Sequence, residues 1–258
     1  MKIIVLVKEV PDTYGERKLD TGSGYVDRGA SAPVLDEISE KALEAAVSYR
    51  DKNSGAEVIA VSMGPSSVAK SLRKALAIGA TSAVHVSDDG LGGADLTWTA
   101  SVLAATVKKI GFDLIIAGNE STDGRGGVIP AMIAEHLGIA QLTSLNSVEF
   151  SDTEISGVRA AENATFTVTG TIPAIVSLTE ANPAARFPSF KGVMTAKRKP
   201  LDTWSLADLR IEAASLAGAR TVIVSVSERP AKSGGLKIVD DGDAGTRLAD
   251  FLATRGFH

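Results

Sequence analysis

Leu114-Ile115-Ile116-Ala117-Gly118-Asn119-Glu120-Ser121-Thr122-Asp123-Gly124-Arg125-Gly126-Gly127 is the stretch from which the fold is read. Its first four residues are an unbroken apolar run, as expected of a strand covered on both faces. A polar, glycine-dense loop follows, and Val128–Leu137 then carries a helical pattern. Glycines let backbone N–H groups approach a ligand closely, and a helix N-terminus adds partial positive charge. Together these favour phosphate. Ser121, Thr122 and Arg125 are candidate side-chain donors. No Gly-Lys-Ser/Thr follows, so this is not a Walker A loop, and no clean G-x-G-x-x-G is present. A plain strand-to-helix turn is the competing reading.

The same strand–turn–helix unit recurs upstream. Ile3–Val7, Val58–Val61 and Ala83–Val86 read as further buried strands. Helical patterns lie at Glu37–Lys52, Ser66–Ile78 and Leu96–Lys109. Asp95 is placed as an N-cap, Pro65 in a first turn, and Gly79 and Gly138 just past helix ends. Such alternation predicts an α/β fold: an open, mostly parallel sheet with helices on both faces. Ligands bind such sheets beyond the strand carboxyl ends. The turns Lys8-Glu9-Val10-Pro11-Asp12 and Ser62-Met63-Gly64-Pro65-Ser66 should share that edge with the glycine loop, making a mononucleotide pocket.

Beyond residue 142 the period changes. Ser147–Ser151, Glu154–Ala160, Thr165–Thr171 and Ala174–Leu178 read as strands added to the sheet's edge. Regular structure is expected to fade after Pro183. A short helix at Ser205–Leu209, a strand at Thr221–Val226, a polar linker at 229–242 and a helix near Thr246–Thr254 complete the pattern. The expected division is a nucleotide-binding body at 1–182, an excursion at 183–200 and an extended C-terminal arm at 201–258.

Composition narrows the function. The 258 residues are 44% hydrophobic and 22% charged, which fits a folded globular chain. A net charge of −4 gives no electrostatic reason to bind nucleic acid or an anionic membrane. With no cysteine, thiolate chemistry and Cys-ligated metal sites are excluded. The N-terminal apolar run is closed by Lys8 and Glu9, too short for a signal peptide, and a cytoplasmic protein is expected. His85, His136 and His258 are isolated, so no catalytic constellation or metal site is read, and no bond-making catalysis is expected. Arg186-Phe187-Pro188-Ser189-Phe190-Lys191-Gly192-Val193-Met194 sets apolar anchors among charges. It reads either as a protein-contact surface or as a solvated basic loop over a satellite core.

Extended through Lys199, that segment is similar to the signature of the electron transfer flavoprotein β subunit, which ends in Ile/Val-Met-x-Ala-Lys-Lys-Lys. The resemblance also takes in Val5–Asp12, Val34–Glu37, Val61–Pro65, Ala75–Ala80, Ala117–Gly124 and Ile172–Ala174, in order, over roughly residues 1–210. It implies an adenine-nucleotide α hydrolase-like fold and a heterodimer with an α subunit. The redox-active FAD would be held mainly by α and a buried AMP by this chain, with the C-terminal arm contacting α. Electrons would pass from acyl-CoA and other flavin dehydrogenases to a membrane quinone oxidoreductase. Carried over residue by residue, the nucleotide contacts fall on Leu6, Pro33, Val34, Leu35, Asp36 and Met63. They continue through Asp123, Gly124, Arg125, Gly126, Gly127, Val128 and Ile129. Dehydrogenase docking falls on Phe190, with Arg186, Phe187 and Met194 beside it.

This sequence departs from the family pattern in two places. Where many relatives have a glutamate after the equivalent of Arg159, this chain has Ala160, with Glu162 close by. Electron-bifurcating members, which keep a flavin in β, carry Asp-Gly-Asp-Thr-x-Gln-Val-Gly-Pro. Here Asp123–Pro130 lacks Thr-x-Gln, favouring AMP over a second FAD. A nucleotide-binding stress or signalling homodimer is the alternative from another class. An ATP-dependent activating enzyme ranks behind it for want of a triphosphate loop.

Overall fold

A computed structural model describes residues 1–212, 221–231, 234, 235, 237 and 239–256. In chain order, β1 (Lys2–Leu6) leads into four short strands, β2 (Glu9–Pro11), β3 (Lys18–Leu19), β4 (Val26–Asp27) and β5 (Pro33–Leu35). Then come α1 (Glu37–Lys52), β6 (Glu57–Met63), α2 (Val68–Ile78), β7 (Ser82–Val86), α3 (Leu96–Ile110), β8 (Leu114–Gly118) and α4 (Ile129–Leu137). β9 (Ala140–Leu145), β10 (Ser147–Phe150), β11 (Glu154–Ala160), β12 (Thr165–Thr171) and β13 (Ala174–Leu178) follow. The chain continues with α5 (Phe190–Ala196), β14 (Leu201–Trp204) and α6 (Ala244–Thr254).

Seven strands form one sheet in the order β14-β7-β6-β1-β8-β13-β9, with every neighbouring pair parallel. The α/β class read from the sequence is therefore the observed one. Because side chains alternate along a strand, β1 sends Ile3 and Val5 to one face, and Ile4 and Leu6 to the other. The first face packs on Ala42, Leu43, Ala46 and Val47 of α1 and on Leu72, Ala75 and Leu76 of α2. The second packs on Leu103 and Val107 of α3 and Ile133 of α4. Burial on both sides is why these strands lack a polar alternation.

Asp36 and Asp95 cap α1 and α3 by accepting from first-turn N–H groups. Gly138 ends α4 in the left-handed conformation, at φ 64°. Pro65 lies ahead of α2, not in its first turn. Its carbonyl accepts from Val68 N at 3.1 Å, leaving Ser66 and Ser67 in a separate turn.

Four expectations from the second half of the sequence are corrected. β10, β11 and β12 do not extend the main sheet. They form their own antiparallel sheet, and Ile155 of β11 inserts into the first core. β13 is interior, between β8 and β9, because all five of its residues are buried. Regular structure does not fade after Pro183, since α5 and β14 lie beyond it, β14 pairing with β7. The segments expected as a helix at 205–209 and a strand at 221–226 are a turn and irregular chain respectively. Ser205 and Asp208 close the turn through Ser205 N to Asp208 Oδ2 at 2.8 Å.

The chain divides into two compact units, Met1–Val224 and Ser225–His258. In the second, α6 places Leu248, Phe251 and Leu252 at i, i+3 and i+4, one apolar stripe.

Candidate functional site

β6 and β7 lie on one side of β1, and β8 on the other. The strand order therefore reverses between β1 and β8, and the crevice beyond their carboxyl ends is where such sheets bind ligands. The loops leaving these two strands are the polar turn after Leu6 and the glycine loop after Gly118. Two of the three turns expected to share the pocket edge thus leave the sheet at its switch point.

Asp36 builds the crevice wall. It is completely buried, and its Oδ1 accepts from Ile38 N at 3.0 Å and Ser39 N at 3.4 Å. Its Oδ2 accepts from Thr122 N at 2.8 Å and Thr122 Oγ1 at 2.7 Å. One carboxylate thus caps α1 and ties the glycine loop to it. Its backbone N–H donates to Lys8 O at 2.9 Å, fastening the turn after β1 as well. Gly118 lets the loop lie this close, because a Cβ there would sit 2.9 Å from Ile38 Cγ2.

Asp123 is the second buried carboxylate, its side chain only 2% exposed. It pairs with Lys8 Nζ at 2.8 Å and Arg28 Nη2 at 3.0 Å. Burial pushes its pKa upward, but the Lys8 ammonium, the Ser121 hydroxyl and Arg28 outweigh burial. The carboxyl is held well below the usual carboxylate range. Lys8 Nζ also donates to Ser121 Oγ at 3.0 Å. Arg17 donates to the Thr122 carbonyl, to Thr122 Oγ1 at 3.0 Å and to Pro11 O at 3.0 Å. Glu9 accepts from Ser67 Oγ and Ser71 Oγ, both at 2.6 Å, and so pins the β6–α2 turn to the same edge.

Beyond Asp123 the loop opens. Gly124, Arg125, Gly126, Gly127 and Val128 are all exposed. Arg125 and Gly127 adopt positive φ, 48° and 67°, bending the chain into α4. No side chain caps α4 at Val128, so its first-turn N–H groups, which have no intrahelical acceptor, are left for another partner. A glycine backbone, an uncapped helix N-terminus and the Arg125 guanidinium, unpaired among the described residues, make an anion-binding donor set.

The remaining expected nucleotide residues lie on β1, β6 and β5. Leu6 ends β1 in the second core layer, and Met63 ends β6, packing on two clusters. Pro33, Val34 and Leu35 form β5, paired antiparallel with β2. Arg17 and Arg28 were not legible as site residues, because the Gly- and Asp-rich insertion that carries them has no period. A groove of about 690 Å³ lies elsewhere, between α1 and the antiparallel sheet, lined by residues such as Lys41, Tyr49, Phe150 and Asp152.

The docking residues form a second feature. α5 begins at Phe190, with Ser189 Oγ capping it through Gly192 N at 3.0 Å. Phe187 is 95% and Phe190 84% exposed, with Val193 and Met194 exposed beside them. Arg186 is less exposed, its side chain 38% accessible. It forks onto Glu44 and reaches Asp51 at 2.5 Å.

With both features in place, the comparisons decide the family. The electron transfer flavoprotein domain matches residues 25–209. The chain belongs to the electron transfer flavoprotein family. It is 42% identical to the electron transfer flavoprotein subunit beta of Mycobacterium tuberculosis, over 98% of each chain. The subunit beta of Mycobacterium leprae is 43% identical over 98% of each. The caffeyl-CoA reductase-Etf complex subunit CarD of Acetobacterium woodii is 33% identical over 91% of this chain and 90% of its own. These matches place the chain in the β-subunit branch. Among the described residues no cluster has the make-up of a metal site, and no helix is long and apolar enough to cross a membrane.

Proposed function

We propose that this chain is the β half of a non-bifurcating αβ heterodimer in the cytoplasm, holding AMP while FAD is held mainly by the α subunit. The observation that carries the nucleotide reading is the open glycine loop at 124–128, feeding an uncapped α4 beside the β1–β8 switch point. The buried carboxylates of Asp36 and Asp123 are already engaged by protein donors, so neither presents a free charge to an anion at the loop. Backbone N–H groups of the loop and first turn of α4, with Arg125, would hold the phosphate. Leu6, Met63 and β5 would flank the nucleoside. AMP in this role orders the loop and supports assembly, and supplies no bond-making step.

Electrons would enter the FAD from flavin dehydrogenases, including acyl-CoA dehydrogenases of fatty acid oxidation, and leave to a membrane quinone oxidoreductase. The exposed Phe187, Phe190, Val193 and Met194 support docking through one apolar face, with Phe190 as anchor. The stripe of Leu248, Phe251 and Leu252 on α6 supports contact with the α subunit. The loop's lack of Thr-x-Gln favours AMP over a second FAD.

The test is to co-express the chain with its α subunit, denature the purified complex and identify what is released. About one AMP and one FAD per heterodimer are expected. Two FAD and no AMP per heterodimer would establish the bifurcating alternative. A colourless homodimer without a flavin-bearing partner would overturn the reading in favour of a stress or signalling protein.

A further inference from the structure

The segment that carries the exposed docking face is fastened to the body at several points, and none of the fasteners belongs to the face itself. At its start, the Arg186 guanidinium donates to Glu44 through Nε at 2.9 Å and Nη2 at 2.7 Å, and to Asp51 through Nη1 at 2.5 Å. Its backbone N–H adds a bond to Glu44 Oε2 at 3.0 Å. In the middle, α5 lies against the C-terminal turn of α2 so closely that a Cβ on Gly192 would overlap the Ala77 carbonyl. At its end, the cations are exchanged. Arg73 of α2 donates to the carbonyls of Ala196 and Lys199, both at 2.8 Å. Lys199 donates in return to the carbonyls of Leu76 at 2.8 Å and Ala80 at 2.7 Å, beside the end of α2.

Each helix therefore ends on carbonyls satisfied by the other segment's cation, which is what a short helix needs to persist. A seven-residue helix is marginal alone, so its order is supplied by these contacts. The side chains left over, Phe187, Phe190, Val193 and Met194, are exposed, the two phenylalanines almost completely.

We infer that Arg186, Gly192, Arg73 and Lys199 are positioning residues that hold segment 186–199 as a preformed docking platform, so that a partner meets the apolar face already ordered. This rests on the docking reading of Phe190 given above. It also reassigns Arg186, which the family resemblance places beside the partner, to an internal brace. Arginine suits the role because its planar fork can hold Glu44 and Asp51 at once, which a lysine or glutamine cannot. An ordered face avoids the entropic cost of ordering side chains on binding.

The experiment uses the αβ complex with a flavin dehydrogenase that reduces it, comparing Arg186→Gln, Gly192→Ala and Phe190→Ala. For Arg186→Gln and Gly192→Ala, KM for the complex as electron acceptor should rise about fivefold to tenfold. The maximal rate and flavin absorbance should be unchanged. Hydrogen exchange at amides 190–196 should quicken in both, while Phe190→Ala leaves exchange alone and raises KM. In the double variant Arg186→Gln/Phe190→Ala, KM should rise by less than the product of the two single effects, because the brace acts through the face that Phe190 anchors. Unaltered KM in both brace variants, with KM raised in Phe190→Ala, overturns the positioning role while leaving docking intact. Unaltered KM in Phe190→Ala overturns the docking reading and this inference with it.

Discussion

Replacing Asp36 with Asn separates the two jobs of one buried carboxylate. Asparagine is as good an N-cap as aspartate, so its Oδ1 can still accept from Ile38 N and Ser39 N and the start of α1 is preserved. The other position becomes an NH₂ group aimed at Thr122. The Thr122 hydroxyl can rotate to accept, but the Thr122 N–H now faces a donor and loses its 2.8 Å bond. At a site with no solvent exposure, an orphaned N–H costs about 1–3 kcal/mol, and the lost charge-assisted bond lies at the upper end of that range. Taking about 2–3 kcal/mol, and roughly 2–4 °C per kcal/mol for a unit of this size, Tm should fall by roughly 4–12 °C. The melt is run on the purified complex alongside a measurement of nucleotide content, which should also fall because the glycine loop is untied from α1. Asp36→Ala should cost about 1 kcal/mol more through the lost cap. A cycle with Thr122→Val locates the coupling, since the loss from Asp36→Asn should largely vanish in that background. If Asp36→Asn melts within about 1 °C of the parent and keeps its nucleotide, the tie between Asp36 and the loop does not carry the site.

Three further outcomes follow from the same geometry. Asp123→Asn should lower Tm near neutral pH, because Lys8 and Arg28 lose their shared partner. The folded carboxyl is depressed, so its stabilisation is present above the ordinary aspartate pKa and is lost as pH falls through the folded value. The gap between parent and variant should therefore hold from neutral pH down to about pH 4 and narrow only below it, as followed by thermal melts. Gly118→Ala should destabilise by about 1–3 kcal/mol in urea titrations, since its methyl would press on Ile38 Cγ2. The Tyr49 phenol is pushed up to about 12 by burial and by its 2.6 Å bond to Asp152. Its contribution is thus complete below the ordinary tyrosine pKa and is lost as pH rises through about 12. A phenolate absorbance titration of the parent minus Tyr49→Phe should show this late-titrating group.

The parallel sheet was legible because burial on both faces writes itself as unbroken apolar runs. Leu114–Ala117 and Val58–Val61 could not be amphipathic strands, and the helices between them are long enough to show a period. The antiparallel strands were found almost to the residue, but their place was not. Nothing local in Thr165–Thr171 says that β12 pairs only with β11, or that Ala174–Leu178 then returns to the interior of the main sheet. Those are long-range choices made by packing. α5 escaped notice because its seven residues hold Gly192 and two β-branched residues, and its order comes from Arg73 and Lys199. Met63 and the glycine loop could be placed at strand ends, and Asp36 at a helix start, because each position carries local turn or cap chemistry. Arg17 and Arg28 could not, since reach across an aperiodic insertion leaves no mark in sequence.

The structure also changes what the predicted site residues do. Asp36 and Asp123 are both carried over as nucleotide contacts, yet each carboxylate is buried and fully engaged by protein donors. A free carboxylate at a phosphate site would repel its ligand, whereas one neutralised by Lys8 and Arg28 shapes the loop without presenting charge. The consequence is a division of labour along eight residues. Ser121 to Asp123 hold the loop to the body, and Gly124 to Val128 present the backbone. Substituting the first group should loosen the loop and weaken any nucleotide alike, while adding bulk at Gly126 or Gly127 should bar the ligand and leave the fold intact. Gly127 already sits at φ 67°, where a side chain is strained, so Gly126→Val is the cleaner of the two. If Gly126→Val melts like the parent and still releases a full complement of nucleotide, the phosphate is not held by this backbone and the donor set must lie elsewhere.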